Sequence, residues 1–430
     1  MAHFAIVCPA DAGHLLSIGP VGQELVRRGH RLTVIGEPHA APLAEQLGLP
    51  LYALNTDGLA DTSQFLLRLA FAPFGATVQV DLREWLHWQA KAVLQLLPGA
   101  LEELAIDGLI VDQVVAAGGT VAEQAGLPFV TICPTIMWNE EMGIPPFFTS
   151  WQYASGQRAR LRNRLGYAAW HWFGSPTVKL INRHRNNWGL APLRTIDDTY
   201  SSLAQISQLC PGFDFPRREL RDTFHYVGSL TTDRRIKSDH GFPWDRLDGR
   251  PLVFASLGTT ADPANPPVFR RILAACAGLD AQLVLALGQW NDEDEPVQDQ
   301  LGAIPANALV VDFAPQLELL ERASVLVTHA GVNTVLEALH RAVPMVALPR
   351  SADQPAMGSR VVHSGTGLLG SFWRDSTSQI QEHIRAVMAK GSFRNRAKEI
   401  QREMVAAGGS SRAADIVEEA LITRRPVRRQ

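Results

Sequence analysis

Thr328–Gln354 reads THAGVNTVLEALHRAVPMVALPRSADQ. The order of residue types predicts a strand ending at His329, a glycine turn, a helix from near Asn333, and a second strand leading to Asp353 and Gln354. That is a βαβ unit whose two polar clusters stand at the carboxyl ends of parallel strands, where open α/β sheets bind ligands. A helix N-terminus beside Gly331 offers free backbone N–H groups and a favourable dipole, which suits a diphosphate. His329, Asn333 and Thr334 add side-chain donors there. Glu337 lies one turn beyond Asn333, where a carboxylate can accept two hydrogen bonds from a vicinal diol such as that of ribose. Asp353 and Gln354 combine acceptors and donors suited to sugar hydroxyls.

Moving outward, the same rhythm runs through the second half of the chain. Apolar runs at Leu252–Leu257, Gln282–Leu287, Ala308–Asp312, Val325–Thr328, Pro344–Leu348 and Gly367–Leu369 predict parallel strands separated by helices. The first half repeats it, with strands at His3–Pro9, Arg31–Ile35, Leu49–Leu54, Gly108–Val111, Pro128–Ile132 and Phe224–Val227. Helical patterns fall at Pro20–Arg28, Pro42–Leu47, Thr62–Leu69 and Val78–Leu104. A chain of 430 residues exceeds one ordinary core, so two domains of about 200 residues each are expected. The polar, turn-rich stretch TTDRRIKSDHGFPWDRLDGR (231–250) reads as the connection between them.

Composition narrows the function. A net charge of -3 leaves no electrostatic footprint for nucleic acid. Cys8, Cys133, Cys210 and Cys276 are far apart and show no metal-ligand spacing, so they read as reduced core thiols. Asp292 and Asp294 make a DxD spacing inside a polar loop and read as a solvated charge run, so no metal site and no bound cofactor are expected. PADAGH (9–14) does not fit the GxGxxG turn of a dinucleotide oxidoreductase. The N-terminus lacks a signal-peptide pattern and no apolar run is long enough to span a bilayer, which predicts a cytoplasmic protein. Residues 145–188 mix aromatic residues with Arg158, Arg160, Arg162 and Arg164, a composition that suits either a core helix with a basic solvent face or a helix resting at a lipid interface.

The 328–354 segment resembles the signature of the family 1 nucleotide-sugar glycosyltransferases, which share the two-domain GT-B fold. The resemblance implies that His329, Gly331, Asn333 and Thr334 hold the diphosphate, Glu337 the ribose, and Asp353 with Gln354 the sugar. Two upstream elements agree: DFAPQ (312–316), implying a base-stacking Phe313 with Gln316, and FASLGTT (254–260), implying phosphate contact by Gly258, Thr259 and Thr260. Plant members often carry Trp where this chain has Phe313 and Val332. At the N-terminus, GHLLSIGPVGQELVRRGHRLTVIG (13–36) resembles the family's acceptor-side opening, which implies His14 as general base. A neutral imidazole titrating near physiological pH suits removal of a hydroxyl proton. Asp112, ending DGLIVD, stands where the family puts the carboxylate that orients the base.

The resemblance is strongest to the carotenoid-glycosylating branch. It covers most of the chain, through LAQISQLCPGFDFPRREL (203–220), FHYVG (224–228) and NTVLEAL (333–339), while 134–188 departs from it. It implies an inverting, metal-independent transfer of glucose from UDP-glucose to a lipophilic alcohol such as zeaxanthin. Sterol, macrolide or flavonoid acceptors are the alternative, and a GT-B nucleotide-sugar epimerase is a further one. The implied organisation is an acceptor-binding Rossmann-like domain over 1–232, a linker over 233–250, a nucleotide-sugar domain over 251–407, and a helix with basic tail over 408–430 that returns to the first domain.

Overall fold

β1 (His3–Val7) is an uninterrupted apolar run buried along its whole length, as a strand covered on both faces requires. In the computed structural model, which describes residues 1–56, 76–231, 241–258, 265–288 and 300–429, it lies near the middle of a seven-stranded sheet. The other strands are β2 (Arg31–Gly36), β3 (Leu51–Ala53), β4 (Gly108–Asp112), β5 (Phe129–Cys133), β6 (Gln205–Ser207) and β7 (Phe224–Tyr226). Their order is β3-β2-β1-β4-β5-β6-β7, and every pairing is parallel. The covering helices are α1 (Ala12–Arg27), α2 (Ala41–Leu47), α3 (Ala76–Leu104), α4 (Gly118–Gln124) and α5 (Gln157–Asn187).

The second sheet has six parallel strands: β8 (Leu252–Ser256), β9 (Gln282–Ala286), β10 (Ala308–Val311), β11 (Ala323–Thr328), β12 (Met345–Ala347) and β13 (Gly367–Leu369). Their order is β10-β9-β8-β11-β12-β13. Helices α6 (Asn265–Ala277), α7 (Gln316–Arg322), α8 (Val332–His340), α9 (Gln354–His363) and α10 (Thr377–Ala389) cover it. Every strand expected from an apolar run is present, and β6 is added. At three residues between polar Gln205 and Gln208, β6 is too short to display alternation. The expected helix at 62–69, residues 232–240 of the expected linker, Thr259, Thr260 and the DxD loop lie outside the described residues.

Both sheets reverse strand order beside their first strand, between β1 and β4 and between β8 and β11. Loops leave these two switch points in opposite directions and open a crevice. His14 follows β1 and Asp112 ends β4, while Gly258 follows β8 and His329 follows β11.

Two helices tie the halves together at the end of the chain. α11 (Gly391–Ala406) begins on the second sheet, where Arg394 Nη2 donates to the Ala323 and Ser324 carbonyls at 2.9 and 3.0 Å. Its far end reaches the first domain, where the Gly212 N–H donates to Glu403 Oε1 at 2.9 Å. The left-handed pair Gly408 (φ 90°) and Gly409 (φ 55°) then turns the chain, a conformation glycine adopts without strain. α12 (Gly409–Thr423) returns to the first sheet and buries Ala413, Ile416, Val417 and Leu421 against the α1 face.

Candidate active site

Asp112 is fully buried and accepts three hydrogen bonds. The Val114 N–H donates to Oδ1 at 3.0 Å, and Oδ2 takes the Cys8 thiol at 3.5 Å and His14 Nδ1 at 2.7 Å. Burial, reinforced by the Asp112 charge, pushes the Cys8 thiol well above its usual range, so it stays a neutral donor. Asp11 caps α1, its Oδ1 accepting from the His14 N–H at 3.3 Å, and this sets the imidazole at the first turn of the helix. Burial disfavours the imidazolium, but the Asp112 carboxylate, by charge and hydrogen bond, outweighs it with help from Asp11 and Asp353 and raises His14 to about 9. The sequence predicts a neutral His14 near physiological pH; the folded chain sets Asp112, Asp11 and Asp353 around a ring that is 16% exposed, and their charge favours its protonated form.

The second switch point has the opposite electrostatics. His329 lies across the start of α8, so that a Cβ at Gly331 would fall 2.6 Å from its Nε2. The turn requires glycine because the ring occupies the side-chain space. Burial lowers His329 to about 4, only partly offset by a hydrogen bond with the Ser256 backbone. Its Nδ1 is buried without a hydrogen-bond partner. Gly331 caps α8 without a side-chain hydrogen bond, leaving the N–H groups of the first turn for a ligand. Gly258 has φ 124°, and a Cβ there would sit 3.7 Å from the His329 ring, so the two turns lie against each other.

Ala330 (φ 65°) and Ala352 (φ 54°) hold left-handed conformations beside His329 and Asp353. Such strain in non-glycine residues persists where the surroundings over-determine the turn, and it recurs at functional sites. Asp353 Oδ2 is buried without a partner, and burial raises this carboxyl above its usual range, against the opposing pull of His14. Glu337 Oε2 accepts from Gln316 Nε2 at 2.5 Å and Oε1 from Thr231 Oγ1 at 3.3 Å, while Thr334 Oγ1 lies 3.5 Å from Gln316. Phe313, 38% exposed, precedes this group in the loop after β10.

Two expected ligand groups are committed elsewhere in this structure. Gln354 Oε1 accepts from the Arg350 and Ser351 N–H groups at 2.9 and 3.1 Å, turning it toward its own loop. Asn333 faces the first domain: Nδ2 donates to the Gly13 carbonyl at 3.0 Å, and Oδ1 accepts from Ser17 Oγ at 2.9 Å and Gln208 Nε2 at 3.0 Å. The helix that carries His329's neighbours therefore grips the turn that carries His14. Ser17, Gln208 and Thr231 have no local motif to reveal them, because their partners are more than a hundred residues away.

Beside this contact, Arg360 of α9 is fully buried and its Nε donates to Asp214 Oδ1 at 2.7 Å, with Arg217 and Tyr226 on Oδ2. The Arg360 guanidinium also lies 4.2 Å over the Phe215 ring. Asp214 is held low, to about 2, because the Arg360 and Arg217 charges overcome the burial that would raise it. Among the described residues no group of three His, Cys, Asp or Glu side chains is arranged to hold a metal.

Two facing parallel sheets with a His–Asp pair at one switch point and an uncapped helix N-terminus at the other define a GT-B glycosyltransferase, and the chain belongs to glycosyltransferase family 1. Residues 270–420 match the family of the erythromycin biosynthesis protein CIII-like C-terminal domain. Zeaxanthin glucosyltransferase of Pantoea ananas is 34% identical over 429 residues, covering 99% of this chain and 98% of that protein. Its counterpart in Pseudescherichia vulneris is also 34% identical, covering 98% of each chain. The solved structure of the glycotransferase of kitacinnamycin, 24% identical, superposes with a TM-score of 0.77 over 98% of this chain and 99% of that one.

Proposed function

We propose that the enzyme transfers glucose from UDP-glucose to a hydroxyl of a lipophilic acceptor, a carotenoid such as zeaxanthin, with inversion and without a metal. The observation that carries the mechanism is the 2.7 Å His14–Asp112 contact in a turn clasped by Asn333 from the nucleotide side. Nδ1–H donates to Asp112, so Nε2 is the nitrogen that takes the acceptor's proton once the imidazolium has been deprotonated. The acceptor oxygen attacks the anomeric carbon as the bond to the diphosphate oxygen breaks, and UDP leaves with the bonding pair. Attack opposite the leaving group inverts the centre. The α8 N-terminus, neutral His329 and Gly258, with Thr259 and Thr260 after it in the chain, stabilise the developing charge on the diphosphate.

In this reading Glu337 accepts from both ribose hydroxyls, Phe313 stacks on the base with Gln316 beside it, and Thr334 supports the phosphates. Asp353 and Gln354 hold the sugar, Gln354 after releasing its own loop, while Asn333 serves the clasp as well as the phosphate. Two relatives named for zeaxanthin glucosylation, each 34% identical across nearly the whole chain, support the acceptor and the sugar. The division of labour follows: residues 1–232 bind acceptor, 251–407 bind the nucleotide sugar, 233–250 link them, and 408–430 return to the first domain.

The test is mass spectrometry of products from UDP-glucose with zeaxanthin, and separately with a sterol, a macrolide and a flavonoid. A hexose on zeaxanthin is the expected product. Transfer to another scaffold alone would move the acceptor and keep the base and donor assignments, and no transfer with any acceptor would overturn the reading.

A further inference from the structure

The outer face of α5 belongs to neither half of the active site. This 31-residue helix carries no Asp or Glu, although the chain as a whole has a net charge of -3. Arg158, Arg160, Arg162 and Arg164 crowd its first turns, and Lys179 and Arg183 follow toward its end. Arg162 is spent locally, on the Gln152 carbonyl and over the Trp151 ring at 4.9 Å. Arg185 is buried and paired with Glu123 at 2.7 Å. The remaining five cations are exposed.

Between them runs an apolar stripe in solvent: Leu161 is 61% exposed, Leu165 64% and Trp172 70%. Steps of four and seven residues place all three on one side of a helix, with exposed Ala168 and Ala169 between. The aromatic residues of this region divide accordingly. Trp170 packs inward, its ring 5.4 Å from Trp138, 4.9 Å from Phe147 and 5.3 Å from Phe173, while Trp172 points away, and among the described residues Arg83 of α3 lies over its ring at 5.2 Å. Core packing explains Trp170 and leaves Trp172 unexplained.

We propose that α5 is a membrane-docking helix whose outer face, built on Leu161, Leu165 and Trp172 and flanked by arginine and lysine, rests on an anionic phospholipid surface. Each part of the face suits that occupant. Leucine and tryptophan enter the boundary between headgroups and acyl chains, and the long cationic side chains keep their charges at the phosphates. A second copy of the chain fits worse, because a symmetric contact would set these arginines against themselves without a carboxylate on the helix to relieve them. No helix among the described residues is long and apolar enough to cross a membrane, so this contact would lie along the surface. α5 packs against α3, whose Trp88 and Gln89 line a small apolar cavity with Cys8 at the carboxyl end of β1. A lipid-dissolved acceptor would thus meet the acceptor-side domain first, but the docking proposal holds for any acceptor.

The test is flotation of the full chain with vesicles of phosphatidylcholine alone and of phosphatidylcholine with about 30% phosphatidylglycerol. Binding to the anionic vesicles is expected to exceed binding to the neutral ones by roughly tenfold or more and to fall as salt rises. The double variant Leu165→Glu, Trp172→Glu should lose about tenfold or more of that binding, and Arg158→Gln, Arg160→Gln, Arg164→Gln should lose the preference for anionic lipid. Both should keep the wild-type melting temperature and the rate of transfer to a water-soluble alcohol, which separates loss of docking from loss of fold or of the glucosylation reading. Failure to bind anionic vesicles, equal binding by the variants, or a solution dimer that Trp172→Glu dissolves would each overturn the proposal.

Discussion

His14 and His329 both stand beside the strand reversals of two similar sheets, His14 in the first turn of the helix after β1 and His329 directly after β11, yet their surroundings drive them apart. His14 faces Asp112, Asp11 and Asp353 and is raised to about 9; His329 is lowered to about 4 by burial, offset only by a hydrogen bond with the Ser256 backbone. Topology therefore decides where a ligand-facing histidine sits, while its charge comes from what the rest of the chain brings against it. In the proposed mechanism His14 then holds a proton that it can exchange, and His329 is a neutral ring that can hydrogen-bond a diphosphate without titrating near neutrality.

The widest separation between the two turns should come from His14→Ala. Turnover is expected to fall by about two to four orders of magnitude, while UDP affinity measured by calorimetry stays within about twofold; unchanged turnover would dissolve the distinction. Glu337→Ala should do the converse, weakening UDP-glucose binding by roughly one to two orders of magnitude with a smaller effect on turnover at saturating donor. Equal donor affinity in that variant would remove the carboxylate from ribose recognition.

The pH profile sharpens the contrast further. Because His14 must lose its proton before it can act as base, turnover should rise with pH toward about 9 in the wild type. Asp112→Asn removes the principal carboxylate holding that proton, so the rising limb should move to lower pH by about one unit or more, with a weaker base and a lower plateau. A limb that stays in place would detach His14 from the profile.

The smallest effect concerns stability. His14's raised value favours the folded state fully below its unfolded value near 6.5, and that contribution is lost as pH rises through about 9. His329 runs the other way: its contribution is complete above 6.5 and is lost as pH falls through about 4, since the unfolded chain takes up the proton first. Between pH 6 and pH 5 the wild type should lose on the order of 1 kcal/mol more than His329→Asn, read from urea melts. Parallel losses would show that His329 is not held neutral by burial.

Much of this architecture is legible in local patterns. Twelve of the thirteen strands among the described residues announce themselves as apolar runs, and the Thr328–Gln354 segment displays its turn, helix start and polar clusters in consecutive residues. β6 is invisible for want of length, and its neighbours Gln208 and Asp214 look like ordinary loop polar residues until Asn333 and Arg360 arrive opposite them. Gln354 illustrates the converse, a residue whose type suits a sugar but whose carbonyl oxygen is engaged by its own turn in this structure.

By itself the sequence determined the two series of parallel strands, the polar clusters at their carboxyl ends and the family to which the chain belongs, because periodicity and turn chemistry act over a few residues, whereas the strand order and its two reversals appear only in the structure. Only the tertiary structure decided the protonation of the two histidines, the clasp from Asn333 to Gly13 and the buried Arg360–Asp214 pair. Those depend on desolvation and on contacts 98 to 320 residues apart in the chain, from His14–Asp112 to Asn333–Gly13. Burial and the approach of distant charges exist only after each sheet has formed and the two domains have met.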